Sequence, residues 1–111
     1  MPFDFGDVVL VPFPFTNQVS TKQRPAVIVS THNYARQRPD VIVMAITSQV
    51  HGSISFADTL LRDWQQANLL KLSVVKPVVA TLEQGLVIKQ LGKLSPSDQI
   101  ALRMTLKEIL G

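Results

Sequence analysis

Hydrophobic residues come along this chain in short, nearly unbroken runs separated by polar stretches, and only residues 95–110 carry apolar positions at helical spacing. Runs of this kind, rich in valine and isoleucine and bounded by Gly, Pro, Asp and Asn, predict strands covered on both faces. The first, Val8 to Phe15, opens after Gly6-Asp7, and Pro12 and Pro14 require its pairing on one edge to lapse before Phe15. Thr16 to Lys22 is a polar connection without glycine, predicting a long hairpin loop rather than a two-residue turn. Ala26 to Val29 is the second run. A short helical turn over Thr31 to Pro39 precedes the third, Val41 to Thr47. Ile54 to Leu60 reads as a less regular fourth strand. Asp63 to Leu70 is predicted as a short helix with Asp63 as its N-cap and Trp64 turned inward. Ser73 to Leu82 is a strand that Pro77 places at an edge or a sharp bend, and Leu86 to Leu91 is a further strand.

The period then changes. Ser95 is an N-cap, Pro96 takes the first helical position, and Asp98 follows three residues after the cap. Leu102, Leu106, Ile109 and Leu110 share one stripe of this helix, with Ile100 and Met104 on the far side. Five or six short strands without strand-helix alternation, closed by a helix, predict a mainly β fold. The expected form is a small, strongly bent antiparallel sheet or partly closed barrel, not a doubly wound parallel sheet. With 111 residues, one domain spanning 1–111 is expected.

Charged residues make up only 17% of the chain, which suggests that a partner covers some apolar surface and points to a homo-oligomer. The net charge of +3 suits a phosphate-rich ligand without requiring one. The chain has no cysteine, which excludes disulfides and thiolate chemistry. Neither a secretory leader nor a membrane-length apolar run is present, so a cytoplasmic protein is expected.

Familiar catalytic constellations are absent: there is no glycine-rich phosphate loop, no histidine pair at ligand spacing and no serine elbow. His32 and His51 read as loop residues, and among the acids only Asp7 lies near the opening strands, where capping accounts for it equally well. What remains is polar chemistry at strand ends. Phe13 and Phe15 point to one side, as core or as a stacking surface for bases. Arg24 is carried on stiff backbone, because Pro25 drives it out of the helical region. Lys22 stands near it, and Thr47-Ser48-Gln49 offers several donors where the third strand leaves the core. An arginine fork beside those donors suits an oxyanion or phosphodiester. Apart from each other, they read as a strand entry and a turn with hydroxyls bonded to their own backbone.

In their order and spacing, several segments resemble the PemK/MazF family of toxin endoribonucleases. They are Gly6-Asp7-Val8-Val9-Leu10-Val11, Phe13-Pro14-Phe15-Thr16, Lys22 to Ser30, Asp40-Val41-Ile42-Val43, Ala45 to Gln49, Leu70 to Pro77, and Leu91-Gly92-Lys93-Leu94 with the final helix. The resemblance implies a small SH3-like barrel that dimerises, cuts single-stranded RNA sequence-specifically without metal or cofactor, and is silenced by a cognate antitoxin. Such an antitoxin has a DNA-binding start and an acidic tail. The resemblance puts the catalytic arginine on Arg24 and the catalytic threonine on Thr47, with substrate contacts expected from Phe15, Thr16, Gln18, Lys22, Ser48, Gln49 and Lys76. Two positions depart from the family pattern. Some members carry a glutamate in the loop before Arg-Pro, where Gln18 to Gln23 contains no acid. Others set an acid beside a basic residue on the later strand, where Lys76-Pro77-Val78 has none. No general base is assigned by the sequence. The competing readings are a non-cleaving RNA-binding module and a peptide-binding module of the same fold.

Overall fold

A computed structural model describes residues 3–12, 23–50 and 54–111. The three valine-rich runs are strands: β1 Asp7–Pro12, β2 Gln23–Ile28 and β3 Asp40–Thr47. With β4 Thr59–Leu61, β5 Ser73–Glu83 and β6 Lys89–Lys93 they form one six-stranded sheet in the order β4-β5-β3-β2-β1-β6, each neighbouring pair antiparallel. A short helix, α1 His32–Gln37, joins β2 to β3, and α2 Pro96–Leu110 follows β6. This is the bent antiparallel sheet with a closing helix that the strand spacing predicts.

Alternation along each strand divides the core in two. Val8, Val27 and Met44 are cross-strand neighbours in one row and bury with Ile46, Val75, Leu94 and Leu102 on the side covered by α2. The intervening residues Val9, Val11, Ala26, Ile28, Val41 and Val43 bury on the other side, with Ala35 of α1. Both faces of the three central strands are therefore dry, which is why their sequences show unbroken apolar runs instead of alternation.

Two register slips bend the sheet. Against β3, β5 passes from the pair Met44–Val79 to the pair Ile46–Val75, so it uses extra residues there, and Lys76-Pro77-Val78 occupy the slip. β4 pairs only with Ser73 to Val75, so Pro77 interrupts no ladder on that side. Against β1, β6 slips between Val8–Gly92 and Val9–Gln90, with Leu91 as the extra residue. Glycine is needed at the slip because a Cβ on Gly92 would stand 2.6 Å from the carbonyl oxygen of Ala67.

Five expectations change. The fourth strand is only Thr59–Leu61, and Ala57 before it adopts φ 71°. Residues 62–68 form successive turns rather than a helix, closed by Gln66 N–H to Asp63 O and Asn68 N–H to Gln65 O, with Asn68 at φ 60°. Asp63 does not cap this segment, because its carboxylate accepts the hydroxyls of Ser95 at 2.6 Å and Ser97 at 3.1 Å; Trp64 does pack against the core. The residues before β6 make a 3-10 turn, Gln84–Leu86, so the last strand starts at Lys89. On α2, Leu102 is buried and Leu106 and Ile109 pack on the core, whereas Leu110 is exposed with Ile100 and Met104.

The start of α2 is as expected, with Ser95 Oγ accepting the N–H of Asp98 at 3.2 Å and Pro96 in the first turn. The buried carboxylate of Asp98 reaches further: it accepts the backbone N–H of Arg62 at 3.2 Å and of Asp63 at 2.8 Å. The turn segment 62–69 thus hangs from the first turn of α2. No helix among the described residues is long and apolar enough to cross a membrane.

Candidate active site

The β2–β3 ladder ends at the pair Ala26–Ala45. Carried two residues further, its register sets Arg24 opposite Thr47, and alternation sends both side chains from the same face. Beyond the last pair the strands need not stay in contact, and a cavity of about 480 Å³ opens there, lined by Arg24, Pro25, Ile46, Thr47, Ser48 and Gln49. Leu10 and Leu91 wall it on the β1–β6 side, and Asn68 to Lys71 with Ser73 close it on the other. The two residues that the sequence leaves far apart share one hollow.

Each is held in a defined way. Arg24 lies across from Val11 on β1, and Pro25 across from Leu10, so the arginine backbone is part of a ladder. Its Nε is buried, and no acceptor among the described residues reaches it. A guanidinium N–H left without a partner in a buried position is costly unless a ligand supplies the acceptor. Thr47 Oγ1 accepts the N–H of Gln49 at 3.1 Å, a local turn bond that leaves the hydroxyl proton free to donate.

The opposite wall is braced by side chains that touch backbone. Asn68 Nδ2 donates to the carbonyl of Leu91 at 2.7 Å, and Ser73 Oγ donates to the carbonyl of Lys71 at 2.8 Å. Lys71 and Lys89 join Arg24 on the lining, and no Asp or Glu among the described residues does. The charged groups on the described lining are all positive.

Of the expected contacts, Ser48 and Gln49 meet Arg24 and Thr47 in the cavity. Lys76 does not: it lies in a neighbouring pocket, where its Nζ is 3.0 Å from Oδ2 of Asp58. Phe15, Thr16, Gln18 and Lys22 lie outside the described residues, as do Phe13 and His51. His32 is a surface residue as expected but opens α1 rather than lying in a loop, and it pairs with Asp4 at 2.6 Å. Among the described residues no group of three metal-ligating side chains comes together.

Asn68, Lys71 and Lys89 line the cavity without having been singled out from the sequence. Leu70 to Leu72 belong to the matched segments, which was the one available pointer to Lys71. Lys89 is brought in only by the β1–β6 pairing, opposite Leu10.

Known proteins share this arrangement of elements. The toxin MazF-mt6 of Mycobacterium tuberculosis superposes with a TM-score of 0.74 at 20% identity, over 92% of this chain and 93% of its own. MazF of Deinococcus radiodurans does so at 0.77 and 19%, over 100% and 98%. A mycobacterial endoribonuclease solved with its cognate antitoxin gives 0.73 and 18%, over 98% and 93%. At these identities the likeness speaks for the fold. No curated protein matches the chain by sequence. The family is decided by the sequence model for the PemK-like, MazF-like toxins of type II toxin-antitoxin systems, which matches residues 4–110. With nearly every residue inside that match and the fold in agreement, the chain belongs to this toxin family, whose members are endoribonucleases.

Proposed function

We propose that this toxin cuts single-stranded RNA using the RNA's own 2′-hydroxyl as nucleophile. The 2′-oxygen attacks the adjacent phosphorus and the bond to the 5′-oxygen breaks. The 2′ proton is lost to solvent, the leaving oxygen takes one up, and the products are a 2′,3′-cyclic phosphate and a 5′-hydroxyl. Such a reaction asks the protein for no nucleophile of its own and no metal. It asks for an extended strand held in line and for donors aimed at the phosphorane oxygens.

Arg24 is the donor that carries charge, and Thr47 holds a phosphate oxygen or the 2′-hydroxyl. Ser48 and Gln49 contact the neighbouring nucleotide. Phe15, Thr16, Gln18 and Lys22 are assigned to the approach of the RNA. The observation that supports the reading best is the convergence of Arg24 and Thr47 in one cavity, with the buried Nε of Arg24 lacking an acceptor among the described residues. An RNA phosphate would supply it.

In this reading a cognate antitoxin covers the same cavity, with Leu70, 93% exposed at its rim, as an apolar foothold. The working form is a homodimer in the cytoplasm. The test is incubation of purified protein with long single-stranded RNA in a chelator, followed by mapping of the new ends. Cuts leaving cyclic phosphates and 5′-hydroxyls, abolished by Arg24→Ala, are expected; intact RNA, or unchanged cutting by Arg24→Ala, overturns the proposal.

A further inference from the structure

Beside the main cavity lies a smaller pocket of about 190 Å³, and Gln49 lines both. The pair Thr47–Val74 marks the boundary: Thr47 lines the large cavity, and Val74, across from it on β5, lines the small one. The small pocket is therefore about one strand spacing, roughly 5 Å, beyond the threonine.

Its lining has two characters. Val50, Ile54 and Val74 supply aliphatic surface. Asp58 and Lys76 supply a charged edge, with Nζ 3.0 Å from the carboxylate, and Gln49 adds an amide. The register of β4 on β5, Thr59 with Val75, continued by one residue, sets Asp58 opposite Lys76. The slip around Pro77 is what frees this stretch of β5 from regular pairing with β3. The Asp58 side chain is only 6% exposed, so this carboxylate is largely withdrawn from water and held in place by one lysine.

Aliphatic walls with a donor and an acceptor fixed side by side at one edge are what a flat heterocycle with polar edges requires. We infer that the Asp58–Lys76 pair reads the base of the nucleotide next to the scissile phosphate, and that this base carries an amino group beside a ring-nitrogen acceptor, as cytosine and adenine do. Asp58 is acceptor-only and takes the amino hydrogen, while Lys76 gives a hydrogen bond to the adjacent ring nitrogen. Uracil and guanine would turn a carbonyl oxygen toward the carboxylate, leaving two acceptors opposed. The pair also supplies an acid beside the basic residue of β5, reached across the sheet from the β4 side rather than along the same strand.

This inference rests on the nuclease reading for its context but is tested apart from it. Short single-stranded RNAs are made with 2′-deoxy sugars, which cannot be cut, carrying C, U, A or G at one position in turn, and their binding is measured. Cut sites of the wild-type protein are mapped in parallel on a randomised RNA. At one position next to the cut, cytosine or adenine is expected to bind about tenfold more tightly than uracil or guanine. Asp58→Asn, whose amide can also donate, shifts that position toward uracil or guanine, and Lys76→Gln flattens it, with both variants checked for native circular dichroism. A preference for U or G at that position in the wild type, or selection of the amino bases unchanged in both variants, overturns the inference. Binding selective for the amino bases without any cutting would remove the nuclease reading and leave the pocket assignment standing.

Discussion

The hydroxyl of Thr47 accepts the backbone N–H of Gln49 at 3.1 Å, which fixes the oxygen at the mouth of the cavity and leaves its single proton to be given away. Serine can repeat that bond and valine cannot. Thr47→Ser is expected to keep RNA cutting within a few-fold of wild type. Thr47→Val, nearly the same in shape, is expected to lose about 10²-fold in rate. Single-turnover cleavage of a defined RNA measures both; equal rates for the two variants would take the hydroxyl out of the reaction.

Arg24→Lys retains the positive charge and removes the planar fork. The buried Nε stays available to an acceptor, and the guanidinium offers its N–H groups in one plane, a geometry that an ammonium on a flexible stem does not reproduce. Cleavage by Arg24→Lys is expected to fall about 10²-fold, with RNA binding changed far less. A variant that cuts as well as wild type would mean that charge alone suffices.

Lys71 and Lys89 line the cavity from opposite sides, one just before β5 and one at the start of β6. Each is expected to neutralise one phosphate of a single strand. Replacing either with alanine should reduce the slope of log binding constant against log salt by about 0.7, with base preference unaltered. Retardation assays across a salt series test this, and a slope that does not move removes that lysine from the RNA path.

Asp98 is 2% exposed and accepts two backbone N–H groups from the turn segment, at Arg62 and Asp63. Asp98→Ala takes the charged acceptor from both N–H groups and is expected to destabilise the fold by about 3 kcal/mol. Asp98→Asn keeps an acceptor and should lose less. Urea unfolding of the two variants measures the difference, and equal stability would mean that water replaces the carboxylate.

The parts legible in the sequence are those governed by local rules. Val8 to Val11, Ala26 to Val29 and Val41 to Thr47 are strands because β-branched runs of that length suit a sheet dry on both faces, and Ser95-Pro96 starts a helix because cap and first-turn chemistry agree. The failures come where a distant residue takes over. Asp63 looks like a helix cap until Ser95 and Ser97 occupy its carboxylate. Asp58 reads as one residue of an irregular fourth strand until Lys76 is found beside it. Arg24 and Thr47 could be named from the family pattern, but nothing short of the β2–β3 register brings them together. Lys89 depends on the β1–β6 register in the same way.

The staple from Asp98 to Arg62 and Asp63 has a consequence for the order in which the toxin becomes dangerous. Arg24 and Thr47 leave the ribosome early, but the segment leading to Leu69, Leu70 and Lys71 is tied down only after residues 95–98 have been translated. A nascent chain that stops short of residue 95 thus carries Arg24 and Thr47 beside an unanchored wall. The hollow is assembled only once the first turn of α2 has left the ribosome.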